Sequence, residues 1–360
     1  MRTCKEDVRI LEVCLSPDLG GLELYVLRCA KHFKTSMVIA KDSKLAGYLE
    51  EEDLKYEKIG RKNPFALAKI IDTCKADVLH VHWTKDLSVA VFAKLFSHQK
   101  PKIIQTRHMH MTRFKDDMYH RFLYRYIDGM IAVTKRVHEQ IEAFVPQSVR
   151  PKVFTSYIGV ETPQMLTPEA AMELRRAYGL DGGFVVGIFG RIEPAKGQHV
   201  VLEAAERLRQ QGLEVKTLVV GGAMDKAYEK KLQERFCKDV FVGFSHEVGA
   251  LMQACDCVVL ATEKETFGLV LVEAMHAGVS VLGSNSGGPQ EIIEDGVSGV
   301  LFEPMSAEDL AKKLAMVLGD GELRSKLAQG GQMRAKACFD AVKQFREVRG
   351  MLKNYQGKEK

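Results

Sequence analysis

A chain of 360 residues is long for a single hydrophobic core and suits two domains of ordinary size. No run of about eighteen apolar residues occurs, which excludes a membrane-spanning helix, and residues 1–7 lack the apolar stretch of a signal peptide, so the chain is expected to stay in the cytoplasm. The net charge of +5 is unevenly placed: residues 1–150 carry 26 Lys and Arg against 19 Asp and Glu, a net of +7, and the remainder 26 against 28, a net of −2. A basic first half suits an acidic partner, such as a phosphorylated substrate, an anionic lipid or a nucleic acid, and is equally compatible with an ordinary solvated surface.

Residues 8–15 alternate as a strand does, Asp18-Leu19-Gly20-Gly21 turns, and Leu24, Leu27, Ala30 and His32 continue at helical spacing. The full Gly-x-Gly-x-x-Gly of a dinucleotide fold is found nowhere in the chain. A twin glycine allows close backbone approach to a ligand, and it also makes a plain turn. Short apolar strands at 37–40, 78–82, 102–106, 129–133 and 152–155 then alternate with helical patterns, which predicts a parallel sheet covered by helices. Ligands of such sheets sit beyond the carboxyl ends of the strands, where His82, His108 and His110 fall. His80, midway along a strand, reads as structural. His108 reads as functional, because Arg107, His110 and Arg113 share its loop and make a cluster of donors.

Residues 114–127 mix Phe114, Met118, Tyr119, Phe122, Leu123, Tyr124, Tyr126 and Ile127 with Lys115, His120, Arg121 and Arg125. Such a basic amphipathic helix packs its apolar side on a sheet or lies on an anionic membrane surface. Eight cysteines, at 4, 14, 29, 74, 237, 255, 257 and 338, lie mostly in apolar segments without Cys-x-x-Cys spacing; they read as reduced core thiols, with no zinc site.

The pattern pauses at 157–165, a predicted linker between a first domain, 1–160, and a second, 161–360. A second series of strands follows at 184–189, 215–220, 240–242, 257–260, 280–283 and 300–302, predicting two doubly wound α/β domains facing across a cleft. Helical sequence runs from Ala307 to about Tyr355, with packing of the last helix back on the first domain left open, and the tail 356–360 reads as frayed.

The first strand of the second series leads into Gly190-Arg191-Ile192-Glu193-Pro194-Ala195-Lys196-Gly197, with a helix from Gln198. Arg191 can fork onto phosphate oxygens and Lys196 adds a compact charge, both beside a helix N-terminus. The spacing is not that of a Walker loop. The later run Ser284-Asn285-Ser286-Gly287-Gly288-Pro289-Gln290-Glu291 reads, by itself, as a tight glycine turn.

The densest chemistry lies in residues 263–278, where Glu265 and Glu273 stand eight positions apart around a predicted helix start. Apolar residues surround the helix on every side, so Glu273 is expected to be a buried carboxylate in need of a partner, either a ligand hydroxyl or a core cation. Glu265 precedes the first turn, beside Gly268 and the N–H groups of Leu269 and Val270, an anion site in waiting. The two acids would span about 12 Å of helix rise, roughly a sugar, a diphosphate and a ribose.

Gly190-Arg191 with Lys196-Gly197, Val242-Gly243-Phe244, Glu265-Thr266-Phe267-Gly268 with Glu273, Gly287-Gly288 with Glu291, and Asp295-Gly296 with Gly299 occur in the order in which the retaining GT-B glycosyltransferases of family four carry them. The chain resembles that family, which uses nucleotide-sugar donors, over essentially its whole length. The resemblance implies that Arg191 and Lys196 hold the donor diphosphate, Glu273 the ribose hydroxyls and Glu265 the donor sugar. It places Phe267 and Gly268 in the turn beneath, the amides of Leu269 and Val270 on phosphate, and Phe244 near the base. Gly20 and Gly21, with Glu23, are similar to the family's glycine loop near the donor phosphate, Gly190 opens the cationic loop, and His108 matches the histidine beside the reacting sugar. One departure is Gly221-Gly222-Ala223-Met224, which lacks the commoner glycine, variable residue, glycine form.

The catalytic set implied is Glu265, His108, Arg191 and Lys196, without a metal and without a cofactor beyond the nucleotide-sugar co-substrate. The acceptor implied is an anionic or lipid-linked glycan, such as a lipopolysaccharide or capsule precursor, met by a peripheral protein at the cytoplasmic face of the inner membrane, with no nucleic-acid partner. A nucleotide-sugar epimerase or glycosyl phosphorylase of the same fold, or a non-catalytic nucleotide-sugar-binding subunit, are the alternatives.

Overall fold

The computed structural model describes residues 8–355, so Cys4, the leader reading of 1–7 and the tail reading of 356–360 lie outside the described residues. Two compact units result, one running to Ile158 and resuming at Ala341, the other Gly159–Asp340. The chain leaves the first unit two residues before the predicted boundary. The helix Ala341–Lys353 groups with the first unit, the packing that the sequence left open.

In the first unit the strands are β1 (Ile10–Cys14), β2 (Ser36–Ala40), β3 (Tyr56–Ile59), β4 (Val78–Val81), β5 (Lys102–Arg107), β6 (Gly129–Ala132) and β7 (Lys152–Thr155). They form a seven-stranded sheet in the order β3-β2-β1-β4-β5-β6-β7, every pairing parallel. Continuous burial along β1, β4 and β6 is what helices on both faces demand, and Val13, Val81, Ile103 and Met130 share one core with Leu67, Val91 and Ile141. Sequence reading passed over β3, whose residues Glu57 and Lys58 are exposed at the sheet edge, where apolar alternation has nothing to report.

In the second unit β8 (Phe184–Phe189), β9 (Val215–Val220), β10 (Val240–Gly243), β11 (Cys257–Leu260), β12 (Ser280–Ser284) and β13 (Val300–Phe302) form a six-stranded parallel sheet ordered β10-β9-β8-β11-β12-β13. Its own core joins Val186, Ile188, Val259 and Leu282 to Leu202 and Leu314. In each sheet the order reverses at one place, between β1 and β4 and between β8 and β11. Loops leaving such neighbours diverge and open a crevice at their carboxyl ends.

The predicted helical run after Ala307 is three helices, Ala307–Gly319, Gly321–Cys338 and Ala341–Lys353. Asp320 starts the second by accepting from Leu323 N at 2.9 Å, and the chain at Phe339 and Asp340 runs beside Val160, whose N–H donates to Phe339 O at 2.8 Å. The helix expected over 114–127 covers only Met118–Arg125, because Asp117 caps it, accepting from His120 N at 3.0 Å. Cys14, Cys29, Cys255 and Cys257 are buried thiols, whereas Cys74, Cys237 and Cys338 are exposed, against the expectation of core placement.

Candidate active site

The second unit gathers most of the predicted residues at the reversal between β8 and β11. After β8, Gly190 adopts φ 135° and Arg191 begins the cationic loop. Gln198, buried at the start of the helix Gln198–Gln210, donates from Nε2 to Arg191 O at 2.8 Å and fixes that loop. Arg191 keeps its side chain half in solvent, 3.3 Å from Glu193. After β11 the chain runs from Ala261 to Gly268, and Lys196 Nζ meets Glu265 Oε2 at 2.9 Å. Lys196, read as a diphosphate contact, and Glu265, read as a donor-sugar contact, are therefore brought together as a partly buried ion pair, at 26% and 18% side-chain exposure.

Glycines make this proximity feasible. Gly197, at φ 71°, backs directly onto the carbonyl of Ala261, and any Cβ there would overlap it. Gly287 and Gly288 lie as closely against the carbonyls of Glu265 and Phe267, and Gly288 N donates to Glu265 O at 2.9 Å. Ser286 Oγ adds a bond to Glu263 O at 3.0 Å. The glycine turn after β12 is thus the support under the Glu265 loop, a role its sequence did not disclose. Gly221, in the run where the chain departs from the family pattern, serves likewise. Gly221 abuts the Gly190 carbonyl, and its N–H donates to Gly243 O at 2.8 Å, beside the exposed ring of Phe244.

Gly268, at φ 106°, starts the helix Leu269–His276, and no side chain caps it. Its first-turn N–H groups, Leu269 and Val270 among them, are left without a side-chain cap. Leu271, Val272, Ala274 and Met275 are buried, while Leu269, Val270 and Glu273 form a half-buried face. Glu273 is therefore not enclosed, a correction with a plain cause: positions 269, 270 and 273 share one side of a helix, and this side is not covered by the core. Because Glu265 lies in the loop and the helix opens at Leu269, the rise to Glu273 is about 6 Å, half the expected figure. Phe267 is buried against Phe339, ring centroids 5.9 Å apart.

The first unit presents its own residues at the reversal between β1 and β4. Gly20 caps the helix Gly21–Phe33 with extended backbone and no side-chain bond. Asp86, buried, accepts from Leu15 N at 2.7 Å and holds the start of this loop. Burial pushes its carboxyl up to about 7, with the Leu15 hydrogen bond pulling the other way. Beyond β5, Arg107 spends its guanidinium on the loop itself, donating to Met109 O at 2.8 Å, His110 O at 2.9 Å and Thr84 Oγ1 at 2.6 Å. It is a clamp for the loop, not a donor to a ligand as the cluster reading held. His110 pairs with Gln140 at 3.2 Å, and Arg113 is exposed. His108, half-buried, sits 3.3 Å from His82.

Among the described residues one grouping has metal-ligand composition, Cys29, His80 and His82, with ligand atoms within 4.8 Å of one another. Its imidazoles are engaged by Glu12, Thr106 and His108, which leaves no open ligand set. No helix among the described residues is long and apolar enough to cross a membrane. In the stretch 114–127, Phe114, Met118 and Tyr119 are exposed, Leu123 and Tyr124 are buried, and Arg121 and His120 pair with Asp116 and Asp117.

Comparison with known proteins agrees with this architecture. The family profile "Glycosyl transferases group 1" matches residues 172–334 and "Glycosyl transferase 4-like" matches residues 12–135. The crystal structure of Anabaena Alr3699/HepE with UDP superposes with a TM-score of 0.86 at 24% identity, covering 96% of this chain and 100% of that one. The same protein with UDP-glucose gives 0.81 at 25%, over 96% and 99%. The chain belongs to the group 1 glycosyltransferases of GT-B fold. Among curated relatives it is similar to a D-inositol 3-phosphate glycosyltransferase of Stackebrandtia nassauensis, 32% identical over 50% of this chain and 44% of that protein. It is also similar to the N-acetyl-alpha-D-glucosaminyl L-malate synthase of Bacillus anthracis, 26% identical over 73% and 71%. The chain spans less than half the length of the first of these relatives.

Proposed function

We propose that this protein transfers a sugar, with retention of anomeric configuration, from a nucleotide-diphosphate donor to an anionic or lipid-linked glycan. The observation that carries the proposal is the convergence of Arg191, Lys196, Glu265 and the uncapped helix start at Leu269 on one edge of the second sheet. As the bond from anomeric carbon to phosphate breaks, negative charge grows on the diphosphate. Arg191, Lys196 and the amides of Leu269 and Val270 offer fixed positive ends to that charge. Glu265 takes the hydroxyls of the donor sugar, Glu273 those of the ribose, and Phe244 the side of the base. His108 acts on the reacting sugar, the role the family resemblance gives it.

Fixed charges of this kind serve where other transferases use a metal, and no Asp-x-Asp pair occurs in the sequence. The proposed reaction is metal-independent: the acceptor attacks on the face the phosphate leaves, and the departing phosphate takes the acceptor proton. A uridine nucleotide sugar is the first donor to try, since HepE is described with UDP-glucose. An anionic acceptor is supported by the relatives, named for an inositol phosphate and for malate, and by the +7 first half. The setting proposed is assembly of a bacterial surface glycan, such as a lipopolysaccharide or capsule precursor, at the cytoplasmic face of the inner membrane.

The test is a panel of nucleotide sugars screened by thermal stabilisation. A true donor at one hundred times its Kd adds about 2.7 kcal/mol to stability. NMR of the product anomer, run with and without exhaustive chelation, then follows. Stabilisation by one donor, a retained anomer and chelation-insensitive turnover are expected. An inverted product, or activity lost on chelation and restored by magnesium or manganese, would overturn the corresponding part.

A further inference from the structure

At the carboxyl edge of the first sheet, a line of three side chains runs from a buried acid to a half-buried imidazole. Glu12 on β1 and His80 on β4 are register partners, and strand alternation brings His82 to the same face two residues on. Glu12 is fully buried, with Oε2 at 2.7 Å from His82 Nε2 and 2.9 Å from His80 Nδ1. His82 Nδ1 lies 3.3 Å from Nε2 of His108, the residue just beyond β5. Tyr25 packs edge-on against both rings, centroids 5.8 Å from His82 and 4.9 Å from His108, and its hydroxyl accepts from Gln344 Nε2 at 2.9 Å.

The direction of each proton follows. A carboxylate only accepts. Burial alone would raise the Glu12 pKa, but the adjacent His80 and His82 draw it down to about 2, so it is ionised at neutral pH. Burial and the neighbouring His80 take His82 down to about 4 in spite of Glu12, so it is neutral. A neutral His82 that gives its Nε2–H to Glu12 holds a lone pair at Nδ1 and must accept there. His108 then carries its proton on Nε2. Its Nδ1 is left with a lone pair, and no protein partner for it is found among the described residues. Glu12 Oε1 also lacks a hydrogen-bond partner among them, and a core built for stability alone is served as well by apolar side chains.

We propose that Glu12 and His82 are positioning residues for His108, fixing its tautomer so that Nδ1 presents an acceptor to a hydroxyl of the ligand at this edge of the sheet. The proposal rests on the reading of His108 as a residue of the sugar site. Replacing Glu12 frees His82 to move its proton to Nδ1 and forces the opposite tautomer on His108, turning an acceptor into a donor. A misdirected imidazole of this kind costs turnover while leaving the donor diphosphate contacts alone.

The experiment is 15N-histidine NMR on the full chain at neutral pH, with His108 assigned by substitution, joined to steady-state kinetics of nucleotide diphosphate release. Wild type is expected to show His108 protonated on Nε2 with a bare Nδ1. In Glu12→Leu the tautomer should move toward Nδ1–H and kcat should fall roughly tenfold or more, with the donor KM little changed. Glu12→Gln, which keeps an acceptor oxygen for His82, should recover the tautomer and part of the turnover relative to Glu12→Leu. A wild-type His108 protonated on Nδ1 overturns the proposal, and that spectrum decides the matter even if Glu12→Leu does not fold. A folded Glu12→Leu with an unchanged His108 tautomer overturns it too. Undiminished turnover in His108→Ala removes the underlying sugar-site reading, an outcome distinct from a failure of the tautomer result.

Discussion

Lys196 Nζ lies 2.9 Å from Glu265 Oε2, so the cation proposed for the donor phosphates and the acid proposed for the donor sugar neutralise each other at the carboxyl ends of neighbouring strands. A diphosphate that takes Lys196 loosens Glu265 at the same moment. Glu265→Gln should therefore leave donor affinity unchanged or slightly improved, because Lys196 is released from its pair. It should lower kcat, because charge is lost near a carbon that turns positive in the transition state. Glu273→Gln, on the half-buried helix face, should raise the donor KM roughly ten- to hundredfold with a smaller effect on kcat, the worth of about 1.5–3 kcal/mol for a bond to a charged group. Kinetics on both variants, with melting unchanged, check this; the same pattern in both would end the division of roles.

The support under Glu265 gives a second expectation. A methyl group at Gly288 would fall inside the contact distance of the Phe267 carbonyl, and the backbone there has no side-chain end that can swing away. Gly288→Ala should cost about 1–3 kcal/mol of stability and, by displacing the loop, most of the activity. Gly222→Ala, which would meet nothing nearer than the Phe244 Cβ at 4.0 Å, should be mild in a melting experiment. Equal effects on melting would contradict the packing described.

How far this was legible in the sequence depended on whether the signal was local. Strands buried on both faces, as β8 and β11 are, appear as unbroken apolar runs, and the loops holding Arg191, Lys196 and Glu265 follow at their ends. The Asp117 cap that shortens the 114–127 helix was also readable in principle, as an Asp ahead of a periodic segment. What could not be read was proximity. The bond from Gln198 to Arg191 O joins a buried amide to a loop, and the placing of Gly287 and Gly288 under Glu265 joins segments more than twenty residues apart. Glu12 gave a faint signal, a charge on a strand otherwise apolar, but its partners lie 68 and 70 positions away. Glu273 was misjudged because an all-apolar neighbourhood in sequence does not say which face of a short helix the core covers.

Asp86 supplies a pH test. Its carboxyl is about 7 in the folded chain against 3.8 for the free group, so the folded state favours the neutral acid. Below pH 3.8 both states are protonated and nothing is lost. Between 3.8 and 7 the unfolded chain ionises first, so stability falls as pH rises, reaching a full penalty of up to about 4 kcal/mol above pH 7. Asp86→Asn lacks this slope. Its melting temperature relative to wild type should climb from pH 4 to pH 7 and level off above, and a difference independent of pH would show that Asp86 does not titrate in this way.

Phe114, Met118 and Tyr119 are 68%, 88% and 53% exposed beside a helix of basic character. If this edge meets a membrane, the protein should sediment with anionic vesicles at low salt and release as salt shortens the Debye length to about 10 Å near 0.1 M, with Phe114→Ser and Tyr119→Ser binding less well. No binding to anionic vesicles at low salt would contradict a lipid-linked acceptor.

The most direct measurement is release of nucleotide diphosphate from the nucleotide sugar that stabilises wild type most, compared between wild type and Lys196→Ala under chelation. Lys196 is expected to matter most as charge develops on the leaving diphosphate, so the variant should keep its fold and lose roughly hundredfold or more in kcat/KM, the loss expected when one fixed donor to a developing charge is removed. Release from no nucleotide sugar, or equal rates in wild type and Lys196→Ala, would contradict a phosphate-stabilising site at the carboxyl ends of β8 and β11.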